Sequence, residues 1–248
     1  MDVVLEAVGL AKSFGAVKAA DDLSVRISSG QIVGIVGPNG SGKTTFLNLV
    51  TGYLSPARGQ IYYLGKEITG LHPRQVTRLG VARSFQVPQL YTSLTVLENM
   101  LVALAIRSGR QGDGWRALRT RARLAEARPL LEKFGFGDES GQVVRTLPEG
   151  GRKLLDVALS FALGPRLLLL DEPTSGVSAA DKFRVMDTLI GVIRESGVTS
   201  VFVEHDMDVV QRYAERVLVF SEGRIIADDP PGALFADPIV RRYILGEE

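Results

Sequence analysis

Residues 37–44 read GPNGSGKT, directly after the apolar run IVGIV at 32–36. The octapeptide satisfies every fixed position of G-x-x-x-x-G-K-[ST]. Gly37, Gly40 and Gly42 let backbone amides turn inward around a phosphate without a Cβ in the way. Pro38, Asn39 and Ser41 complete the loop. Lys43 carries an ammonium that reaches the terminal phosphates, and the Thr44 hydroxyl is suited to Mg²⁺. Thr44 and Thr45 open a predicted helix, 44–50, whose positive end faces the same anion. A bare glycine-rich turn would not need a buried strand before it and a helix after it. The stretch predicts nucleoside triphosphate binding, without separating ATP from GTP.

Outward from the loop, short apolar runs alternate with helical patterns. Strands are expected at 3–8, 23–27, 31–36, 60–64, 80–85, 166–170, 199–204, 216–220 and 224–227, the first two antiparallel. Helices are expected at 95–107, 115–134, 150–163, 179–195 and 207–214, with two short ones near 231–235 and 238–245. A break, SGRQGDG, falls at 108–114. This order predicts an α/β core around a parallel sheet. One domain, 1–248, is expected, with a core of 1–86 and 163–248 and a helical insert of about 87–162.

The acids come next. RLLLLDEP at 166–173 is a continuous apolar strand of the doubly buried kind, delivering Asp171 and Glu172 to its carboxyl end. Asp171 is the candidate to hold Mg²⁺ through water, and Glu172 to act as general base. No H-R-D or D-F-G element accompanies them, which argues against a protein kinase.

Bulk properties narrow the class. Apolar residues at 45% and charged residues at 23% of 248 exclude a disordered or fibrous chain. A net charge of +1 gives no electrostatic case for nucleic acid. The absence of cysteine excludes disulfides and cysteine-built metal sites. The N-terminus lacks the pattern of a secretory signal, and runs such as 167–170 are far shorter than the roughly 20 residues a membrane span needs. Other chains must supply any membrane spans.

Taken together, these motifs resemble the ABC ATPases over nearly the whole chain. The resemblance implies a P-loop NTPase core with a RecA-like parallel sheet, an N-terminal antiparallel β subdomain and an inserted α-helical subdomain. It implies an ATPase that uses ATP and Mg²⁺. Phe14 stands where the family stacks an aromatic on adenine. Gln86, in RSFQVPQL, resembles the glutamine that links γ-phosphate and metal to the helical subdomain, so that Thr44, Gln86 and Asp171 form the implied metal set. TSGVS at 174–178 resembles the loop between monomers, with Ser178 in place of the usual aspartate. His205, one of two histidines, resembles the switch histidine. Against the family signature L-S-G-G-Q, this chain has LPEGG at 147–151. Leu147 and Gly150 match, Pro148 replaces the serine, Glu149 adds a negative charge, and Gly151 replaces the glutamine. Leu147, Gly150 and Gly151 are the signature candidates that contact a partner's ATP.

The stretches 12–24, 81–103 and 233–248 are similar to the importers of branched-chain (hydrophobic) amino acids, urea and short-chain amides. That likeness implies membrane permease subunits and a second ATPase as partners, with a periplasmic solute-binding protein acting indirectly. The implied location is the cytoplasmic face of the inner membrane. The altered signature favours a heterodimer over a homodimer. Val87, Leu90, Tyr91 and Leu94 are candidates to line a groove for a short coupling helix of the permease. An exporter or lipopolysaccharide-type ATPase, a soluble ABC ATPase of translation or repair, and a non-hydrolysing regulatory subunit are the alternative readings.

Overall fold

The computed structural model describes residues 2–108 and 118–236. Its centre is β3 (Ile32–Val36), buried at all five positions. β3 lies inside a six-stranded sheet with β6 (Val81–Ser84), β7 (Leu167–Asp171), β8 (Thr199–Val203), β9 (Arg216–Ser221) and β10 (Arg224–Asp229), in the order β10-β9-β3-β8-β7-β6. The first five of these strands in the chain are parallel, and β10 closes one edge antiparallel to β9. The parallel strands therefore end on one side of the sheet, where such sheets bind ligands.

Burial on both faces explains the continuous apolar runs. Val33, Ile35, Leu169, Val203 and Phe220 point towards α1 (Lys43–Val50) and a second sheet. Ile32, Val36, Leu168, Leu170 and Phe202 point towards helices on the other face. The second sheet is antiparallel: β1 (Val3–Phe14), β2 (Val17–Ser28), β4 (Arg58–Tyr63) and β5 (Lys66–Glu67), in the order β2-β1-β4-β5. α1 is packed between the sheets, with Phe46 fully buried and its ring 5.8 Å from that of Phe220.

β1 and β2 are longer than the alternation at 3–8 and 23–27 predicts. Gly9 takes φ 58° and the register of β1 with β2 shifts between Ala7 and Leu10. The bulge breaks the period of two, and the strand then resumes. A helix that the apolar pattern does not signal, α2 (Pro73–Leu79), rests on local chemistry instead. His72 caps it and accepts from Arg74 N–H, Gln75 returns the bond to His72 N–H, and Pro73 sits at the first helical position.

Between β6 and β7 the described chain is helical. α3 (Val96–Arg107) begins at Thr95, which forms a reciprocal cap with Glu98. α4 (Arg121–Lys133) begins at the Thr120 cap, so the helix expected over 115–134 is interrupted there; residues 115–117 lie outside the described residues. A 3₁₀ turn, Val144–Thr146, leads into α5 (Glu149–Ala162). These helices share one buried cluster with the parallel sheet. α6 (Lys182–Ser196) starts three residues later than expected, because Ser178 and Asp181 hold a turn first. α7 (Met207–Tyr213) and α8 (Pro231–Ala236) follow. The helix expected near 238–245, and all but Ser108 of the break at 108–114, lie outside the described residues.

Phe46 joins both sheets through α1. Phe46→Ala should cost about 3–5 kcal/mol in urea unfolding; a loss below about 1 kcal/mol would show that the two layers are not held through this ring.

Candidate functional site

The glycine loop leaves the end of β3 and enters α1. Gly37 has φ 146° and Gly42 has φ 104°. A Cβ on Gly37 would lie 2.2 Å from the Phe220 carbonyl oxygen, and one on Gly42 2.3 Å from that of Ala19. Both glycines are thus demanded by neighbouring backbone as well as by φ. Gly223 N–H donates to the Ser41 carbonyl at 2.9 Å and pins the loop from outside. Lys43 is 6% exposed and folds back on the loop, donating to the carbonyls of Gly37 at 2.7 Å and Pro38 at 2.9 Å. Burial holds its ammonium below the usual lysine range, with Glu172 and Asp171 acting in the opposite sense. The Ser41 Oγ is buried with no hydrogen-bond partner among the described residues. A desolvated cation and an unpartnered hydroxyl, in a loop that opens a helix, fit a phosphate group. Thr44 and Thr45 follow, Thr44 exposed and Thr45 half-buried.

The ends of β6, β7 and β8 bring the other candidates together. Asp171 is the last residue of β7 and is buried, with Oδ2 accepting from Arg83 Nη2 at 2.6 Å. Arg83 also donates from Nη1 to Asn48 Oδ1 on α1 at 2.6 Å, and so links β6, β7 and α1. Sequence reasoning passed over Arg83; its signal is a lone cation in the apolar strand VARS. Glu172 sits in the left-handed region at φ 51°, unusual for a residue with a Cβ. Its Oε2 accepts from Gln86 Nε2 at 2.8 Å, and its Oε1 lies 3.0 Å from His205 Nε2. Gln86, Glu172 and His205, far apart in sequence, therefore meet in one cluster.

Behind His205, buried Glu204 accepts from the N–H and hydroxyl of Thr174 at 2.9 and 2.7 Å and from His205 N–H at 3.3 Å. It joins the His205 turn to the 174–178 loop, and its burial raises the carboxyl above the usual range.

Phe14 ends β1 at the tip of the hairpin with β2, half exposed, with Lys12 Nζ 5.8 Å from the ring centre. β2 abuts the glycine loop through Ala19. In the LPEGG stretch, Leu147 is buried and Pro148 is the N-cap of α5, with no side chain bonded to the helix-start amides. Glu149 forms an ion pair with Arg152, which offsets the charge it brings. Gly150 is buried; a Cβ there would meet Val185 at 3.3 Å and Val177 at 3.4 Å, so this glycine fits α5 against the 174–178 loop. Gly151 is half-buried.

A groove of about 970 Å³ opens between α2, the end of α3 and the loop after α5, lined in part by Tyr53, His72, Leu79, Ile106, Leu163 and Arg166. Val87, Leu90, Tyr91 and Leu94 do not line it. Val87 and Tyr91 are exposed, while Leu90 packs on the core. The groove is joined to the Gln86–Glu172–His205 cluster by contact: the Tyr53 ring meets Phe85 edge-on at 5.6 Å, and Phe85 precedes Gln86. No described helix is long and apolar enough to cross a membrane.

Fold and site together define a P-loop nucleoside triphosphatase. Comparison with known proteins narrows the class. The ABC transporter family profile matches residues 20–175. The probable branched-chain amino acid transport ATP-binding protein LivG of Archaeoglobus fulgidus is 32% identical over 248 residues, covering 99% of this chain and 96% of the relative. The high-affinity branched-chain amino acid transport ATP-binding protein LivG of Escherichia coli (strain K12) is 32% identical over 252 residues, with 98% of each covered. The crystal structure of the ADP conformation of MJ1267, an ATP-binding cassette of an ABC transporter, superimposes with a TM-score of 0.86 at 27% identity over 100% of both chains. The chain belongs to the ABC transporter ATP-binding cassettes, a family that binds and hydrolyses ATP.

Gly42→Ala places a side chain against the Ala19 carbonyl at an unfavourable φ. It should cost about 1–3 kcal/mol of stability and weaken ATP binding as well. Calorimetric melting and nucleotide titration check both, and full ATP affinity in this variant would contradict the loop geometry as the determinant.

Proposed function

We propose that this chain is the motor subunit of an importer for branched-chain amino acids or related small solutes. The solute class is supported by the near full-length likeness to the LivG proteins. The Gln86–Glu172–His205 cluster carries the mechanism. The phosphate loop, Gly37 to Thr45, receives the triphosphate of ATP, and Phe14 takes the adenine face. Lys43 exchanges the carbonyls of Gly37 and Pro38 for phosphate oxygens. Glu172 accepts the proton of the attacking water, while Gln86 and His205 fix that carboxylate and sense the γ-phosphate. Thr44, Gln86 and Asp171 would hold Mg²⁺, which neutralises charge on the phosphates. Among the described residues no three acids or histidines form a cage on their own.

Two cassettes would face head to tail, the start of α5 at Leu147, Gly150 and Gly151 meeting the partner's nucleotide. With Pro148 in place of a hydroxyl donor, a second, related ATPase is the favoured partner. Closure on ATP and opening after hydrolysis move the equilibrium between two dimer forms. Residues 87–162 would act as the helical unit within the single domain. The groove beside Tyr53 would seat a permease segment at the cytoplasmic face of the inner membrane. A solute-binding protein outside would select the cargo; no nucleic acid takes part.

Lys43→Ala should lower ATP affinity on the order of 10²-fold by removing a buried cation from the phosphates; unchanged affinity would refute the cradle. Glu172→Gln should preserve ATP binding, lower kcat by about 10²–10⁴-fold and accumulate a closed dimer; full turnover in the assembled transporter would remove Glu172 as base. Affinity capture from membranes should recover permease subunits and a second cassette. Recovery of ribosomes or DNA in their place would overturn the transport reading.

A further inference from the structure

The inner face of α5 carries Lys153, Asp156 and Ser160, spaced so that they share one face of the helix, and all three are buried. Each grips the same short stretch of chain. Asp156 accepts from Ser84 Oγ at 2.6 Å and from Gln89 N–H at 2.9 Å. Ser160 Oγ donates to the Arg83 carbonyl at 3.1 Å. Lys153 Nζ donates to the Gln86 carbonyl and, at 3.2 Å, to the Glu172 carbonyl.

Lys153 differs from its two neighbours. It is 3% exposed, and burial holds its ammonium below the usual lysine range, with Asp156 acting in the opposite sense. It makes no ion pair among the described residues; its hydrogen-bond partners are main-chain carbonyls. A cation in that setting is costly to bury unless its bonds are kept. The two carbonyls belong to Gln86 and Glu172, whose side chains are themselves joined at 2.8 Å. Lys153 thus fixes from behind the backbone of that pair.

The same side chain lies just over one turn into α5, whose starting amides have no side-chain cap. A helix moves as a rigid body, so a shift of its start carries Lys153 with it. We propose that Lys153 is a positioning residue that links the seating of α5 on the partner's nucleotide to the alignment of Gln86 and Glu172 at this chain's own nucleotide. The inference rests on the head-to-tail arrangement proposed above. It joins the two half-sites through one ammonium and two carbonyls, so the base is aligned when the helix start is engaged.

Lys153→Met keeps the aliphatic stem and removes the donors. In the transporter complex purified from its own membranes through a tagged copy of this chain, kcat should fall on the order of 10²-fold, the scale of a small misplacement of catalytic groups. The Kd for ATP, measured on the full chain, should stay unchanged. Lys153→Gln, with an amide that can reach one carbonyl, should fall between Met and wild type. Ser160→Ala loosens the same face without touching Gln86 or Glu172, and should lower Tm while leaving kcat intact. A wild-type kcat for Lys153→Met overturns the proposal. So does a kcat loss matched by an equal loss of ATP affinity, or reproduced by Ser160→Ala. Should Lys153→Met not fold, Lys153→Gln decides on the same split between kcat and Kd. Lys43→Ala run alongside keeps the two readings apart: normal ATP binding by that variant refutes the nucleotide site itself, whatever Lys153 does.

Discussion

Lys43 is an ammonium from which water has been stripped, held by two carbonyls of its own loop; in the proposed function phosphate oxygens replace them. Much of the surrounding structure serves to hold that charge there. Gly37 and Gly42 allow the loop to lie directly against the backbone at Phe220 and Ala19. α1, locked between two sheets by Phe46, fixes the direction of the helix-start amides. Because the ammonium and the unpartnered Ser41 hydroxyl are already desolvated, the proposed triphosphate would gain electrostatic contacts there at the cost of turning Lys43 off its own carbonyls.

The parallel sheet solves the second problem, which is to bring distant residues to that charge. β3, β6, β7 and β8 run the same way, so Gly37, Gln86, Glu172 and His205 all follow strand ends on one side. Two buried polar joints hold those ends in register. Arg83 ties Asp171 to Asn48, and Glu204 ties the turn at His205 to Thr174. Buried polar contacts of this kind impose geometry because leaving any member unpaired is costly. The left-handed Glu172 is the price of turning the chain so that its side chain meets both Gln86 and His205.

The sequence made these parts legible to unequal degrees. The loop, the doubly buried strands and the placing of Asp171 and Glu172 at a strand end could be read because each depends on local residue type and apolar pattern, whereas Gln86 and His205 are singled out only through the family resemblance. The full length of β1 could not, since Gly9 interrupts the alternation with a bulge whose continuation is decided by pairing with β2. α2 was hidden because its start relies on a histidine cap and its apolar face is a single buried residue, Val76. The break before α4 lay in one threonine cap. Arg83 and Lys153 were missed for a different reason: a cation in a strand or helix reads as solvated until the fold shows what surrounds it. The residues at 87–94 lie outside the cavity beside Tyr53, because an apolar side chain in a loop carries no sign of whether it lines a cleft or faces outward.

Crystals of the chain grown with Mg·ATP test the central claim most directly. Lys43 Nζ should leave the Gly37 and Pro38 carbonyls for the phosphates, with the loop amides around the β-phosphate and Glu172 facing the γ-phosphate. A triphosphate bound elsewhere, with Lys43 still turned onto its own loop, would contradict the account.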